Sequence, residues 1–146
     1  MPLTIFPPRE YGSMHQVNAA NIITVSETDT FYNIYGFSST LTQWVTFQNW
    51  GEFKIEVSWI YNINYQSCFT NWTNTEYDMV IGVNWVEQNN TITCSKKSNS
   101  IDVMQVSSWG LLNLEEDDIV TLMVANVTNL SDPEIIDANV NLTRYE

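Results

Sequence analysis

The sequence predicts an all-β protein, an antiparallel sandwich or barrel, and three observations lead to that prediction. Apolar and polar residues alternate with a period of two along most of the chain. The alternating segments are short, are rich in Val, Ile, Thr and aromatic residues, and are separated by polar turns. No apolar stripe with helical spacing runs for the length of a helix. The 146 residues suffice for one domain with one core.

The two clearest strand candidates are FKIEVSWIYNI at 53–63 and IVTLMVANV at 119–127. In each, apolar side chains occupy every second position, as in a strand with one buried face. Shorter candidates lie at 21–25, 31–35, 44–48, 77–87, 91–95, 102–112 and 135–144. Seven residues of the two clearest segments are expected in the core or in an interface between subunits: Phe53, Ile55, Val57, Trp59, Val120, Leu122 and Val124.

The N-terminal segment differs from the rest of the chain. Pro2, Pro7 and Pro8 prevent regular strand pairing and favour an extended arm over residues 1–12, followed by a folded domain over 13–146. The arm is either a frayed terminus or a docking segment. Its docking candidates are Leu3, Ile5, Phe6 and Arg9.

The charge balance excludes several classes of partner. The chain carries 17 acidic and 5 basic residues, a net charge of −12. Nucleic-acid backbones and anionic membranes are bound by clustered Lys and Arg, which are missing here. The N-terminus has no apolar run long enough for a signal peptide or a membrane span. Production in a cytoplasm, without secretion by the usual route, is therefore expected.

Four consecutive acids, Glu115 to Asp118, stand directly before the strand candidate at 119–127. A calcium loop of the helix–loop–helix type needs acids at alternate positions and a distal Glu, and that spacing is absent. Polar residues are also what a tight turn before a strand requires. The sequence predicts a solvated turn, and a calcium ion at a subunit junction remains the alternative.

Other catalytic chemistry has little support. His15 is the only histidine, so neither a Ser-His-Asp triad nor a histidine-based zinc site is expected. Cys68 and Cys94 are read as buried, reduced residues, with a cross-strand disulfide as the alternative. Two carboxylates of a glycosidase remain open among the 17 acids. The six Trp fit a core or a subunit interface, or a surface that stacks on sugar rings. No enzyme activity, cofactor or metal is expected.

The order of segments resembles a known fold family. FYNIYGF is followed by VTFQNWGEFKIEVSW, in which a Gly leads a strand of the form Gly-x-aromatic-x-aliphatic. Next come YDMVIGVNWVEQ and GLLNLEEDDIVTLMVANVTN, and DANVNLTR closes the chain. Over residues 11–146 this pattern resembles the compact jelly rolls of the tumour-necrosis-factor and complement globular-head class, and more closely the small virion proteins of tailed bacteriophages built on that fold. The family usually has Gly where Asp117 stands and commonly Tyr where Phe53 stands.

The resemblance implies a homotrimer with three sandwiches packed about a threefold axis. Apolar residues that face away from the inward sets, such as Ile60 and Met123, agree with it because surplus apolar surface calls for a partner.

A capsid decoration protein is the leading functional expectation. In that hypothesis a trimer lies on a phage head and contacts the major capsid protein, or another virion protein, through its arm. The alternative is a receptor-binding component of a fibre, spike or tail tip that grips a host surface glycan. A polysaccharide hydrolase ranks last, because the sequence shows no chemistry for it.

Overall fold

The computed structural model describes residues 10–17, 19–70, 75–96 and 103–145. These ranges contain short and long strands and one short 3₁₀ helix at Asn89–Thr91. The strands are β1 (Tyr11–Gln16), β2 (Asn21–Ile22), β3 (Tyr32–Asn33), β4 (Ser38–Gln43), β5 (Val45–Gln48), β6 (Glu52–Ile55), β7 (Trp59–Thr70), β8 (Glu76–Val83), β9 (Val86–Glu87), β10 (Thr93–Lys96), β11 (Met104–Leu114), β12 (Ile119–Asn126) and β13 (Glu134–Arg144).

The strands form two antiparallel sheets that pack face to face as a jelly roll, so the predicted fold class is confirmed. Sheet A has the order β11-β7-β13-β1-β4, and β2 pairs with β13. Sheet B has the order β10-β8-β12-β6-β5, with β3 paired to β12 and β9 paired to β8. Neighbours in a sheet are mostly distant in sequence, because the chain crosses between the sheets. No described segment is a helix of the length and apolarity that a membrane crossing needs.

The core lies between the two sheets. β7 and β11 alternate buried and exposed residues along most of their length, as half-buried strands do. β12 is different, because nearly all of its residues are buried on both faces. Of the seven candidates, five have no solvent exposure: Phe53, Ile55, Val120, Leu122 and Val124. Val57 is half-buried, in the bend between β6 and β7.

The single strand expected over residues 53–63 is two strands in different sheets. β6 ends at Ile55 in sheet B, and β7 begins at Trp59 in sheet A. The end of β6 is held by the 115–118 turn, since Ile55 N donates to Asp118 O at 2.9 Å and Asp117 N donates to Ile55 O at 2.7 Å. Alternation continues by chance across the bend, so the pattern concealed the break.

Trp59 lies outside the core of a single chain, and its expected place in an interface between subunits stays a prediction. It occupies the first position of β7, at the end of the sandwich, and is 45% exposed. The Arg144 guanidinium carbon lies 3.9 Å from the centre of its ring, and its indole N–H donates to Tyr145 O at 2.8 Å. Met123, expected as surplus apolar surface, is only 4% exposed within one chain, because Gly82 on the neighbouring strand leaves room for it.

Two strands of sheet A were not predicted. β1 begins at Tyr11, inside the stretch assigned to the arm, and β4 occupies a segment taken partly as a break. SSTLTQ is made largely of small polar residues, and YGSMHQ mixes Gly and Ser with larger side chains, so neither shows a clear strand pattern. Tertiary contact decides: the Gly12 backbone lies so close to the Phe53 ring that a Cβ there would stand 2.9 Å from its Cε1.

Candidate functional site

The outer face of sheet A carries few charged side chains, and Asp137, the register partner of Cys68, is an acid on it. The side chains that β1, β7, β11 and β13 turn away from the core are exposed or half-buried. We call these residues the neutral face: Tyr11, Ser13, His15, Ile60, Asn62, Asn64, Gln66, Cys68, Gln105, Ser107, Trp109, Leu111, Asn113, Asn139, Asn141 and Thr143. In a chain with a net charge of −12, a sheet face composed of amides, hydroxyls and a few apolar groups is a marked concentration of neutral surface.

Hydrogen bonds between amides order part of the neutral face. Asn141 Nδ2 donates to Asn64 Oδ1 at 3.2 Å, and Ser13 Oγ donates to Asn141 Oδ1 at 2.8 Å. Asn62 Oδ1 is buried and has no hydrogen-bond partner within the described chain. A buried acceptor without a donor is costly, so this amide is suited to meet a donor from another molecule.

Apolar groups and shallow depressions complete the neutral face. Trp109 is 65% exposed and Ile60 is 45% exposed. One depression of about 540 Å³ is lined by residues that include His15, Cys68 and Asp137, and a second of about 290 Å³ adjoins Trp109. The face therefore combines exposed apolar area with hydrogen-bonding groups and few charges, and depletion of charge is a property that interface cores share.

The histidine and cysteine of the neutral face do not form an assembled nucleophile. His15, Cys68 and Asp137 line the same depression, on three adjacent strands. Their ligand atoms do not come together as a cluster. Among the described residues, the one group of three His, Cys, Asp or Glu side chains whose ligand atoms lie within 4.8 Å of one another is Glu76, Asp78 and Cys94, elsewhere in the fold.

Both cysteines are free, and Cys94 is exposed on β10 rather than buried as expected. Cys94 Sγ donates to Glu76 Oε1 at 2.9 Å. This hydrogen bond, followed by burial and by Asp78, raises the pKa of the Cys94 thiol to about 12. A thiol held protonated is a poor nucleophile, and the trio forms a hydrogen-bonded surface cluster at the edge of sheet B.

The four acids form the turn between β11 and β12. Asp118 accepts from the Glu115 backbone N–H at 2.8 Å and from Asn84 Nδ2 at 2.8 Å, and so closes the turn. Asp117 has φ of +72° and forms an ion pair with Lys54 at 3.0 Å. The left-handed conformation explains why Gly is usual there in the resembling family. Two of the four carboxylates thus have structural roles in this turn.

A buried ion pair marks where the chain enters the domain. Glu10 is 5% exposed and accepts from Arg144 Nη1 at 3.2 and 3.3 Å, and its carbonyl oxygen accepts from the Arg144 backbone N–H at 2.9 Å. Burial, followed by the charge of Glu10, raises the pKa of neighbouring Tyr61 to about 12. The docking candidates Leu3, Ile5, Phe6 and Arg9 lie outside the described residues.

Three exposed tryptophans at turns have a backbone conformation that the sequence did not predict. Trp44, Trp50 and Trp85 have φ of +58°, +58° and +64°, and they are 51%, 71% and 55% exposed. Bulky side chains rarely adopt left-handed backbone. The available signal was the Asn-Trp pair that follows a strand at 49–50 and again at 84–85, since Asn favours the same conformation.

Comparison with solved structures places the fold among the tumour-necrosis-factor and complement-C1q jelly rolls. The Eiger TNF from S. frugiperda is similar over 96% of this chain and 94% of its own, with 14% identity and a TM-score of 0.66. The globular domain of the zebrafish complement 1qA protein matches 91% of this chain and 94% of its own, with 17% identity and a TM-score of 0.62. Murine APRIL matches 93% of this chain and 100% of its own, with 13% identity and a TM-score of 0.61.

No protein-family model matches the sequence, and no curated protein matches it. At identities of 13–17% the structural likeness concerns the fold alone.

Proposed function

We propose that this protein is a non-enzymatic, homotrimeric structural protein whose copies assemble through the neutral face and decorate the head of a phage virion. The observation that carries the proposal is the scarcity of charged side chains on that side of sheet A, where Asp137 is the acid beside the neutral face, in a chain with a net charge of −12.

Electrostatics favours contact between copies at the neutral face. A trimer carries 3 × −12 = −36, and like charges that are brought together without compensation repel. Burying Asp or Glu at an interface also has a large desolvation cost. A face of amides and hydroxyls avoids both costs, and the acidic residues elsewhere keep separate trimers apart in solution.

Packing and hydrogen bonding supply the attraction. Trp109 is 65% exposed and Leu111 is 38% exposed, on one strand and one face. Burying a large apolar side chain contributes about 1.5–3 kcal/mol. The unpaired Asn62 Oδ1 gains a partner when a second chain presents a donor, and Leu111 is the register neighbour of Asn62. The apolar and polar contributions therefore come from one patch.

The test is a charge placed on the neutral face, at Trp109 of its edge strand β11. Trp109→Glu introduces a carboxylate that assembly must bury three times, once per chain. Trp50→Glu is the matched control, because Trp50 is 71% exposed on a hairpin turn outside the neutral face. By light scattering behind size-exclusion chromatography, Trp109→Glu should be monomeric at 16.8 kDa, and Trp50→Glu should keep three times that mass. A Trp109→Glu protein that remains trimeric contradicts the proposed interface.

The proposal that this protein decorates a phage head is supported by the resemblance of its sequence to small phage virion proteins and by the composition of the arm. Residues 1–9 contain Arg9 and no acid, so the local charge of this segment suits contact with an acidic lattice. They enter the fold at Glu10, whose pairing with Arg144 fixes the base of the arm. Deleting residues 1–9 should leave a folded trimer that no longer binds stripped phage heads. Undiminished binding by the truncated trimer would place the docking face on the sandwich.

A further inference from the structure

We propose that a groove on the outer face of sheet B binds neutral sugar rings of a glycan. The groove encloses about 570 Å³ between segments 21–24 and 31–35, with Trp85 and Met123 also in its wall. Met123 alternates with the core residues Leu122 and Val124, so it marks the side of sheet B that faces away from the core. The wall also includes Asn21 and Ile22 of β2, and the groove shares no lining residue with the neutral face, so the inference goes beyond assembly.

Aromatic rings dominate the lining of the groove. Phe31, Tyr32, Tyr35 and Trp85 all contribute, and Tyr35 and Trp85 keep 40% and 55% of their area exposed. A pyranose ring presents a flat face of C–H groups that packs on an aromatic ring, and its hydroxyl groups remain at the edge for hydrogen bonds. Exposed aromatic faces around a groove of this size fit one or two such rings.

Polar groups in the wall match the edge of a sugar. Asn33 Nδ2 donates to the Tyr35 hydroxyl at 3.0 Å, but Asn33 Oδ1 is buried and has no partner within the described chain. The residue as a whole is only half-buried and belongs to the wall of the groove, so its side chain is within reach of a ligand there. A ligand hydroxyl group then supplies the missing donor.

The groove has no charged residue in its lining, although the chain carries 17 acids. A ligand recognised through its own charge would need an opposite charge in the wall. The chemistry therefore selects a neutral sugar over a sialylated or phosphorylated one, and over a charged peptide.

The backbone at Trp85 indicates that its side chain has a role of its own. Asn84 and Trp85 are the two residues of the turn between β8 and β9, with φ of +50° and +64°. Asn followed by Gly is the usual pair in such a turn, so Trp replaces the residue that the backbone favours. Asn84 is anchored by hydrogen bonds with Asp118 and with the Ile119 backbone N–H. These bonds hold the turn, and with it the Trp85 ring, beside the groove.

The experiment compares three proteins on an array of neutral glycans that end in glucose, galactose, mannose, N-acetylglucosamine or rhamnose. They are the unmodified chain, Trp85→Gly and Trp50→Gly. Trp50 is the matched control, because it also has left-handed backbone and is exposed but does not line the groove. Glycine relieves the backbone at both positions, so both variants should fold. The strongest array signal is then titrated by isothermal calorimetry with the corresponding free oligosaccharide.

The unmodified chain and Trp50→Gly should bind the same glycan equally, and Trp85→Gly should bind it about tenfold or more weakly. An array without signal for the unmodified chain overturns the proposal. Equal binding by Trp85→Gly, or binding of acidic glycans alone, overturns it as well. Light scattering on the same samples separates this result from assembly: a trimer without glycan binding refutes only the groove, and a glycan-binding monomer refutes only the trimer.

Discussion

Leu122→Ala tests the packing of the core at its centre. Leu122 has no solvent exposure and lies in the middle of β12, between the strands β8 and β3, and its carbonyl oxygen accepts from Ile34 N at 2.8 Å. The substitution removes three carbon atoms, whose burial contributes about 2–2.5 kcal/mol. A cavity adds to this cost, because β12 is paired on both sides and cannot collapse into the space. We expect a loss of about 3–5 kcal/mol.

Thermal unfolding measures the loss, at one chain concentration for all variants, because assembly links stability to concentration. For a chain of this length, Leu122→Ala should lower the Tm by roughly 5–15 °C. Leu130→Ala is the control, since Leu130 is 58% exposed in the loop before β13 and should change the free energy of unfolding by less than about 0.5 kcal/mol. A Leu122→Ala protein that melts with the control refutes the register of β12.

Three further predictions concern charge and protonation. Arg144→Met leaves the Glu10 carboxylate buried without its partner and should lower stability by about 2–4 kcal/mol in urea unfolding, with most of the loss recovered when Glu10→Gln is added. The free energy of unfolding should fall above pH 10, because burial raises the pKa of Tyr61 to about 12 in the folded protein. The stabilisation from protonated Tyr61 is complete below pH 10 and is lost as the pH rises through 12. Urea unfolding across this pH range measures the loss. Excess chelator should leave the Tm unchanged, because the 115–118 turn is closed by Asn84 and Lys54; a drop of tens of degrees would identify a calcium site there.

The sequence predicted the fold class and the buried side of β12, because alternation and turn composition are local signals. It did not reveal that segment 53–63 changes sheets, since the bend at 56–57 preserves the period of two. It also missed β1 and β4, whose sequences lack a clear strand pattern and which form strands through pairing with each other and with the distant β13.

Part of the neutral face can be recognised in the sequence. Asn62, Asn64 and Gln66 alternate with buried aromatic and aliphatic residues along β7, and that pattern is visible in the sequence. The sequence does not show that these residues lie beside Trp109 and Asn141, because that depends on which strands are neighbours in sheet A. The groove beside Trp85 likewise combines segments more than fifty residues apart.

The mass of the unmodified protein in solution tests the central claim most directly. At micromolar chain concentration and physiological salt, light scattering behind size-exclusion chromatography should give a single species at three times the 16.8 kDa chain mass. A single species at 16.8 kDa under the same conditions would contradict assembly through the neutral face.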